Sequence, residues 1–591
     1  MTGTPGPGGP WEAGPDDGLI LIGGTPADRA GPDEVGAKAH VLMRMADAGL
    51  PVPPGFVLPT PVCQAYHARG GGLDDATLAL LGRGVRALEQ ASGRRFGSRR
   101  DPLLVSVRSG APVSMPGMLD TVLDVGLTRG TLAGLLRATG DPVFVWDSYR
   151  RLVEAYDEVV AGCPREAVDA ARQEALARAG VPDVTELDVA GLVGLAEALE
   201  QVHRQHTGQD FPGDPMTQLA GAVEAVLRSW DSPRAVTYRQ LEHLAGLPGT
   251  AVTVQVMVYG NRGADSGSGV GFTRDPATGE DTPYLDFLPD AQGEDVVSGR
   301  RTVPPAGEVI ARIPGLPAQL ARVRRELERL FSDVQDFEFT VEEGRLWVLQ
   351  ARPAKRTAWA AVRIACDLVD EGLIDADTAL ARLTGLDLDR VGRVRLVAAG
   401  PAGAGAAPLR PADAADPPAG PTGAADAPVP LVAGVSAGTG VAVGRLALDV
   451  RAARRLAAAG DPVILARSEA STTDIAGLAA CTGLVTAAGS RTAHAAVVAR
   501  HLGVAAVLGC GGLRCDPDRR RATFGDVELG EGEWVTVDAD GGRVYGGRLE
   551  VTIERPEPLL QRIREWRRNS RTVLGGTADP GHPREHADHE P

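Results

Sequence analysis

The strongest constraint on the fold of this 591-residue chain is a stretch near its middle that cannot form a hydrophobic core. Residues 393–432 are rich in Ala, Pro and Gly and contain few large apolar side chains. Such a composition favours a linker over a packed domain. The sequence therefore predicts folded regions on both sides of a flexible segment. At ~100 to 200 residues per domain, the length indicates three to five domains in total.

Both sides of the linker mix helical and strand-like patterns. Before it, helical periodicity and strand-like alternation are found in separate segments, which are helical at 77–91, 146–161, 189–205, 317–331 and 358–371 and extended at 103–107, 252–258, 337–341 and 346–349. After it, further strand-like runs surround short helical segments. We therefore expect a multidomain α/β (α+β) protein.

Charge and composition exclude several classes of function. The formal net charge is −16, which would repel nucleic acid and anionic lipid. No run of 18 apolar residues is present, and the first residues lack the basic and apolar regions of a signal peptide. The six cysteines match no disulfide framework. We expect a cytoplasmic protein with reduced thiols that binds neither nucleic acid nor membrane, and leave open whether it forms a homo-oligomer.

Lysine is almost absent from the chain. Lys38 and Lys355 are its two lysines, and the other basic residues are arginine. Either both are remnants of a GC-rich coding bias, or one is retained for a compact ammonium that the planar guanidinium cannot replace.

Two segments of small residues are candidates for phosphate binding. Residues 259–272, YGNRGADSGSGVGF, include Gly267 and Gly269, and N–H groups of such a run can point at phosphate oxygens. A flexible hairpin loop explains the run equally well. In residues 106–118, SVRSGAPVSMPGM, Arg108 follows a predicted strand, which suits a phosphate clamp or a solvated surface hairpin.

A predicted hairpin carries two pairs of polar residues. Asp336 and Glu338 are two positions apart on one strand, so both carboxylates project from one face. Gln350 and Arg352 have the same spacing on the returning strand. A divalent cation that bridges nucleotide phosphates would relieve the repulsion between the carboxylates. The alternative is an exposed hairpin with ordinary alternation of polarity.

One histidine occupies a position typical of a phosphoryl carrier. Thr492 is a natural N-cap, and AHAAVVARHL after it is helical, so His494 lies in the first turn. There the helix dipole disfavours imidazolium, and free N–H groups would stabilise a phosphoryl group. A structural histidine is the alternative.

Taken together and in this order, these segments resemble the pyruvate, phosphate dikinase family, from about residue 34 to about residue 575. Three further segments add to the resemblance, namely GLPVPPGF (49–56), DFPGDP (210–215) and DAQGEDVVSG (290–299). The resemblance implies an ATP-grasp domain followed by a swivelling β/β/α phosphohistidine domain. The expected divisions are a disordered start (1–18), the ATP-grasp domain (19–356) with a helical insertion (about 146–245), a helical connector (357–392), the linker (393–432), the phosphohistidine domain (433–550), and a helix with a polar tail (551–591).

The resemblance also implies a role for each candidate residue. Lys38 and Arg108 correspond to the cations on the ATP phosphates, Asp336 and Glu338 to the ligands of Mg²⁺ and nucleotide, Gln350 and Arg352 to polar ATP contacts, His494 to the phosphorylated histidine, and Thr492 to the threonine that regulatory proteins phosphorylate in some relatives. The chain departs from the family at several positions. Its Gly36-Ala37-Lys38-Ala39-His40-Val41 replaces Gly-Gly-Lys-Gly-Ala-Asn, Pro112 replaces a frequent arginine, and Gly489-Ser490-Arg491 replaces Gly-Gly-Met.

The implied activity is ATP-dependent phosphorylation of His494, with AMP as product and phosphate as co-substrate. Family members continue into a barrel that binds pyruvate and phosphoenolpyruvate, and such a barrel needs ~250 residues. Only 25 residues follow Trp566, so we expect no TIM barrel and a separate barrel chain as partner. Two alternatives remain: a phosphotransferase that relays through His494 to another small molecule, and a non-catalytic nucleotide-binding or regulatory protein.

Overall fold

The computed structural model describes residues 19–113, 115, 118–244, 246–297, 306–397, 428–469, 475–489 and 494–575. The strands are β1 (Ile20–Ile22), β2 (Gly55–Leu58), β3 (Arg95–Phe96), β4 (Pro102–Leu103), β5 (Val105–Gly110), β6 (Thr121–Val125), β7 (Ala251–Val256), β8 (Gly267–Phe272), β9 (Tyr284–Pro289), β10 (Gln335–Glu342), β11 (Arg345–Pro353), β12 (Arg393–Leu396), β13 (Val432–Ala433), β14 (Val435–Ser436), β15 (Val441–Ala447), β16 (Val463–Arg467), β17 (Gly483–Thr486), β18 (Ala505–Leu508), β19 (Leu513–Asp516), β20 (Arg521–Phe524), β21 (Val527–Gly530), β22 (Trp534–Asp538), β23 (Arg543–Gly546) and β24 (Val551–Glu554).

The α-helices in the described residues are α1 (Pro32–Asp47), α2 (Thr60–Ala68), α3 (Asp75–Ser92), α4 (Leu132–Thr139), α5 (Pro142–Tyr156), α6 (Arg165–Ala179), α7 (Val189–Thr207), α8 (Pro215–Ser229), α9 (Pro233–Leu241), α10 (Gly293–Val297), α11 (Ala306–Arg312), α12 (Leu316–Phe331), α13 (Ala358–Asp370), α14 (Ala376–Arg382), α15 (Val450–Ala458), α16 (Ile475–Leu478), α17 (His494–Leu502) and α18 (Glu557–Gly575). None of these described helices combines the length and apolarity that crossing a bilayer requires.

Two antiparallel sheets organise the first region. One sheet has the strand order β1-β2-β7-β5-β6 and the other the order β11-β10-β8-β9. The first packs against α3, α5, α7 and α8 in one hydrophobic core, and the second against α1 and α12 in another. The strands predicted around 103–107 and 252–258 and the predicted hairpin are confirmed as β5, β7 and β10–β11. Helices α5 to α9 follow one another from Pro142 to Leu241, between β6 and β7, with no strand among the described residues of this stretch.

The second half of the glycine-rich run forms a buried strand, β8 (Gly267–Phe272), in the interior of the second sheet. A Cβ atom added to Gly267 would overlap the Phe287 ring, and one added to Gly269 would overlap the Phe339 ring and lie 2.8 Å from the backbone oxygen of Asp286. Both glycines pair with β9 on one side and β10 on the other, so sheet hydrogen bonds engage the backbone of this strand. The close aromatic packing accounts for the glycines and gives no support to the phosphate-loop interpretation of them.

A small helical module follows and is completed by the end of the described chain. Helices α13, α14 and α18 share a core that includes Cys366, Leu383 and Leu560. Strand β12 pairs antiparallel with β24, the strand just before α18. The predicted linker therefore begins too early, because the first residues of 393–432 are held in a strand by a partner far away in the sequence. Residues 398–427 lie outside the described residues.

The carboxy-terminal domain consists of three layers. Its eight-stranded sheet has the order β13-β23-β22-β15-β16-β17-β18-β14. Neighbouring residues of β16 face opposite sides, as strand geometry requires. Val463 and Leu465 pack with α15 and α17, whereas Ile464 and Ala466 pack with the small β19-β20-β21 sheet. The layers are thus a small sheet, a large sheet and helices.

Substitution of a β8 glycine tests the packing explanation. We expect Gly269→Ala to lower the free energy of unfolding by about 2 kcal/mol, since the added methyl group meets an aromatic ring and a backbone oxygen that cannot both move. Gly194→Ala in α7 is the matched control; a methyl group there meets no atom within 4 Å, and the change should be slightly stabilising. Urea unfolding of the three proteins measures both effects. Equal stability of Gly269→Ala and wild type would contradict the packing role.

Candidate functional site

The segment that carries Lys38 is fixed against the end of β5. Gly36 breaks the first turn of α1 with φ of 80°, and a Cβ there would overlap the backbone oxygen of Gly110. The next residue, Ala37, donates its N–H to the oxygen of Ala111 at 2.9 Å. The family's first glycine is therefore required by a close approach of two backbones. Arg108 belongs to the same strand, β5, so this contact brings the two predicted phosphate cations to one place.

Lys38 shares its electrostatic surroundings with three of the other predicted site residues. Its side chain is reached by solvent. The pKa of its ammonium is lowered, first because the surrounding protein displaces water and then because Arg108 and Arg352 are nearby, while Glu338 acts in the opposite direction. Lys38 therefore lies among cations that repel it, an arrangement that an anion such as a phosphate chain would stabilise.

The β10–β11 hairpin brings the predicted carboxylates and polar residues together in pairs. Asp336 lies directly opposite Arg352, and Glu338 directly opposite Gln350. The Arg352 Nε donates a hydrogen bond to Asp336 Oδ2 at 2.8 Å. A β-bulge follows immediately, between Glu338 and Phe339. The predicted hairpin is thus confirmed, and its cross-strand pairs put all four residues on one face of it. The bulge ends the regular pairing next to them.

Asp336 has the environment expected of a metal ligand. It is 7% exposed, and its Oδ1 atom is buried without a hydrogen bond to any described residue. Burial raises the pKa of Asp336, and the neighbouring Glu338 raises it further, whereas Arg352 opposes both. A buried oxygen without a donor, next to a second carboxylate, fits a hard cation such as Mg²⁺. The residues present therefore suit the metal that the resemblance implies.

The helix of the predicted phosphohistidine begins at His494 and is packed against the second sheet. Its Arg500 lies over the rings of Phe272 (5.3 Å) and Tyr284 (5.8 Å) and donates a hydrogen bond to the oxygen of Ala437 at 3.2 Å. Tyr284 in turn donates its hydroxyl to the oxygen of Ser436 at 2.9 Å. Thr492 lies outside the described residues.

These contacts connect the carboxy-terminal domain to the candidate metal ligands. Phe272 is the direct partner of Asp336 across the β8–β10 pair. Arg500 is 2% exposed, and its charge acts to lower the pKa of Asp336, against the larger effect of burial. Arg500 is not among the site residues predicted from the sequence. The sequence gives one indication of a role for Arg500, because it is the one residue of permanent charge in the α17 sequence HAAVVARHL.

The raised pKa of Asp336 has a measurable effect on stability. Because the folded chain holds this proton more tightly than the unfolded chain, the ionised carboxylate destabilises the fold at neutral pH. Without divalent cations, we expect Asp336→Asn to raise the free energy of unfolding by about 1 kcal/mol at neutral pH, and the gain to vanish as pH falls through the raised pKa.

Urea unfolding at several pH values measures this effect, and the exposed Asp518→Asn is the matched control that should change little. A variant that is less stable than wild type at neutral pH, by an amount independent of pH, would contradict the prediction.

Two family comparisons match most of the folded regions. Residues 79–306 and 317–372 match the pyruvate phosphate dikinase AMP/ATP-binding domain. Residues 459–542 match the mobile domain of PEP-utilising enzymes. The first match contains β5, β8, β10 and β11, and the second contains α17.

Curated relatives cover almost the whole chain. Pyruvate, phosphate dikinase of Clostridium symbiosum is 38% identical over 91% of this chain and 59% of its own length. The chloroplastic enzyme of Flaveria pringlei is 40% identical over 90% of this chain and 53% of its own length. That of Rhizobium meliloti (strain 1021) is 37% identical over 93% of this chain and 59% of its own length. The chain thus spans a little over half the length of these relatives. It is similar to the pyruvate, phosphate dikinases, and its matched regions correspond to an AMP/ATP-binding domain and to the mobile domain of PEP-utilising enzymes.

Proposed function

We propose that this chain catalyses the ATP-dependent phosphorylation of His494, with AMP as the released product. The observation that carries the proposal is the packing of α17 on the sheet of the candidate metal ligands. Arg500 of this helix contacts Phe272, which lies directly opposite Asp336. A helix that begins with a nucleophilic histidine is therefore attached beside two carboxylates, and the cations Lys38 and Arg108 belong to the same electrostatic cluster.

The chemistry requires mainly positioning and neutralisation of charge. A ring nitrogen of His494 attacks the β-phosphorus of ATP, the bond between the α,β-bridging oxygen and the β-phosphorus breaks, and AMP leaves with both electrons of that bond. The terminal phosphoryl group of the pyrophosphorylated histidine then passes to inorganic phosphate, which gives pyrophosphate and leaves one phosphoryl group on His494. Lys38 and Arg108 hold the phosphate oxygens and offset their growing negative charge.

Asp336 and Glu338 would hold Mg²⁺, and Arg352 keeps the Asp336 carboxylate in place through its hydrogen bond. When bound, the metal would neutralise phosphate charge. Gln350, opposite Glu338, would donate its amide hydrogens to the nucleotide.

Pyruvate, which the names of the relatives contain, is the acceptor that we propose for the phosphoryl group of His494. We expect this transfer to require the pyruvate-binding barrel that the resemblance implies. Addition of pyruvate to the phosphorylated chain, with and without an added barrel, tests this part by the appearance of phosphoenolpyruvate. Formation of phosphoenolpyruvate without the added barrel would contradict this requirement.

Labelling with ATP tests the half-reaction itself. With Mg²⁺ and ATP labelled on the β-phosphate, we expect acid-labile label on the protein and stoichiometric AMP. His494→Ala should abolish both, because the attacking nitrogen is lost. His501→Ala, on the same helix, is the matched control and should retain both. Absence of label from wild type, or equal label on His494→Ala, would exclude the proposed function.

The contact made by Arg500 gives a second prediction. We expect Arg500→Ala to slow single-turnover formation of AMP about tenfold, since a cation–π contact with two rings is lost. The affinity for Mg-ATP, measured by calorimetry, should change little. Arg454→Ala, an exposed position in the same domain, is the control. A variant that keeps its melting temperature and forms AMP at the wild-type rate would show that this contact is not used in the reaction.

A further inference from the structure

A second group of cations lies outside the site described above. A cavity of about 390 Å³ is lined by four arginines, Arg94, Arg100, Arg137 and Arg262. They come from four separate segments: the residues before β3, the residues before β4, helix α4 and the connection from β7 to β8. Asp101 is the one acidic residue of the lining. The chain as a whole has a net charge of −16, whereas the lining of this cavity has four arginines and one aspartate and is therefore positive.

The cavity is separate from the cations predicted to bind ATP phosphates. Its lining includes Pro102 and Tyr259, which lie near the end of the first sheet where Val105 pairs with Val256. The Lys38 segment contacts the opposite end of the same strand, at Gly110. With a rise of ~3.3 Å per residue, the length of β5 separates the two places by roughly 15 to 20 Å.

Two of the four guanidinium groups are available to an anion. Arg94 Nε lies 3.7 Å from Asp101. Arg262 pairs with the carboxylates of Glu342, at 3.3 Å, and Glu343, at 3.2 Å, which lie at the end of β10 and just after it and are not part of the lining. Arg137 donates a hydrogen bond to a backbone oxygen, and the ion pairs of the described residues give neither Arg137 nor Arg100 a carboxylate. Protein carboxylates thus neutralise Arg94 and Arg262. Arg100 and Arg137 have no such carboxylate among the described residues, and both are exposed to solvent.

The cavity also has an apolar wall. The rings of Phe144 and Tyr259 are buried and meet edge to face with centroids 4.9 Å apart, and Leu135 lies beside them. The Tyr259 hydroxyl donates to Asp124 at 2.8 Å, and burial raises the pKa of the phenol, so it stays neutral. This wall suits the carbon skeleton of a ligand whose charged group faces the arginines.

We propose that this cavity binds the phosphate group of a small phosphorylated metabolite. Guanidinium groups match phosphate oxygens with paired hydrogen bonds. Arg100 and Arg137 approach from separate segments and can share the oxygens of a tetrahedral phosphate, whereas a planar carboxylate has only two oxygens to offer. The site is independent of His494 and of the residues proposed to bind ATP.

Titration of the whole 591-residue chain tests the proposal. Inorganic phosphate and glycerol phosphate are the probes, followed by calorimetry, and they distinguish the free anion from a phosphate ester. We expect saturable binding of at least one probe. Arg100→Gln and Arg137→Gln should each weaken it about tenfold, the loss expected for a charged hydrogen-bonding partner. Arg325→Gln, at an exposed position in the same region, is the matched control and should bind as wild type does.

A Lys38→Met variant separates this site from the ATP site. We expect it to lose Mg-ATP binding while it retains binding of the phosphate probe, so failure of the proposed function leaves this test intact. Binding of neither probe to wild type would overturn the proposal. So would equal binding by wild type and the folded double variant Arg100→Gln/Arg137→Gln, or loss of the probe in Lys38→Met alone. Both arginines of the double variant are exposed, so its melting temperature should equal that of wild type.

Discussion

The pairing of β10 with neighbours on both sides is the constraint on which the rest of the site depends. One ladder, to β11, places Asp336 opposite Arg352, and the other, to β8, places the same residue opposite Phe272. Because successive side chains of a strand point to opposite faces, β10 contributes to the hydrophobic core on one face and to the candidate site on the other. Phe337 and Phe339 are buried in the core behind the sheet, while Asp336 and Glu338 are on the opposite face. A shift of one residue in this register would exchange the two faces and bury both carboxylates in the core.

Burial at this site is a compromise between stability and binding. The described structure leaves one oxygen of Asp336 without a donor and places two arginines, Arg108 and Arg352, near Lys38. Each arrangement costs free energy in the absence of ligand and is relieved by a group of opposite charge. The carboxylates and the cations belong to the same cluster, so a metal–phosphate ligand would relieve both together. This complementarity supports the assignment of the site to a nucleotide better than any single residue does.

The parts of this arrangement that sequence could predict are those set by local periodicity. The spacing of Asp336 and Glu338 defines a common face whatever the strand pairs with, and the hairpin partner is close in sequence. The role of Gly269 depended on a ring more than 60 residues away, and glycine alone does not distinguish a phosphate loop from a crowded sheet.

The same reason explains two other differences between prediction and structure. The strand character of β12 comes from its ladder with β24, about 150 residues later, and not from its own composition. Arg500 lies in an apolar helix, where its sequence gives no indication that the rings of Phe272 and Tyr284 lie beneath it. Contacts between segments distant in sequence thus determine the strand β12 and the position of Arg500, which local sequence patterns do not predict.

The β12–β24 ladder also limits any movement of the carboxy-terminal domain, which matches the mobile domain of PEP-utilising enzymes. The chain enters this domain from β12 through some 35 residues but leaves it for β24 through only four, residues 547–550. Four residues span at most ~14 Å when fully extended, so the exit from β23 always stays close to the ladder. Any rotation of the domain must therefore have its axis near residues 547–550. Helix α17 lies between β17 and β18, several strands away from β23 in the sheet. A rotation about residues 547–550 would therefore move His494 along an arc centred on those residues. The ladder would thus fix the centre of that arc as well as the point of attachment.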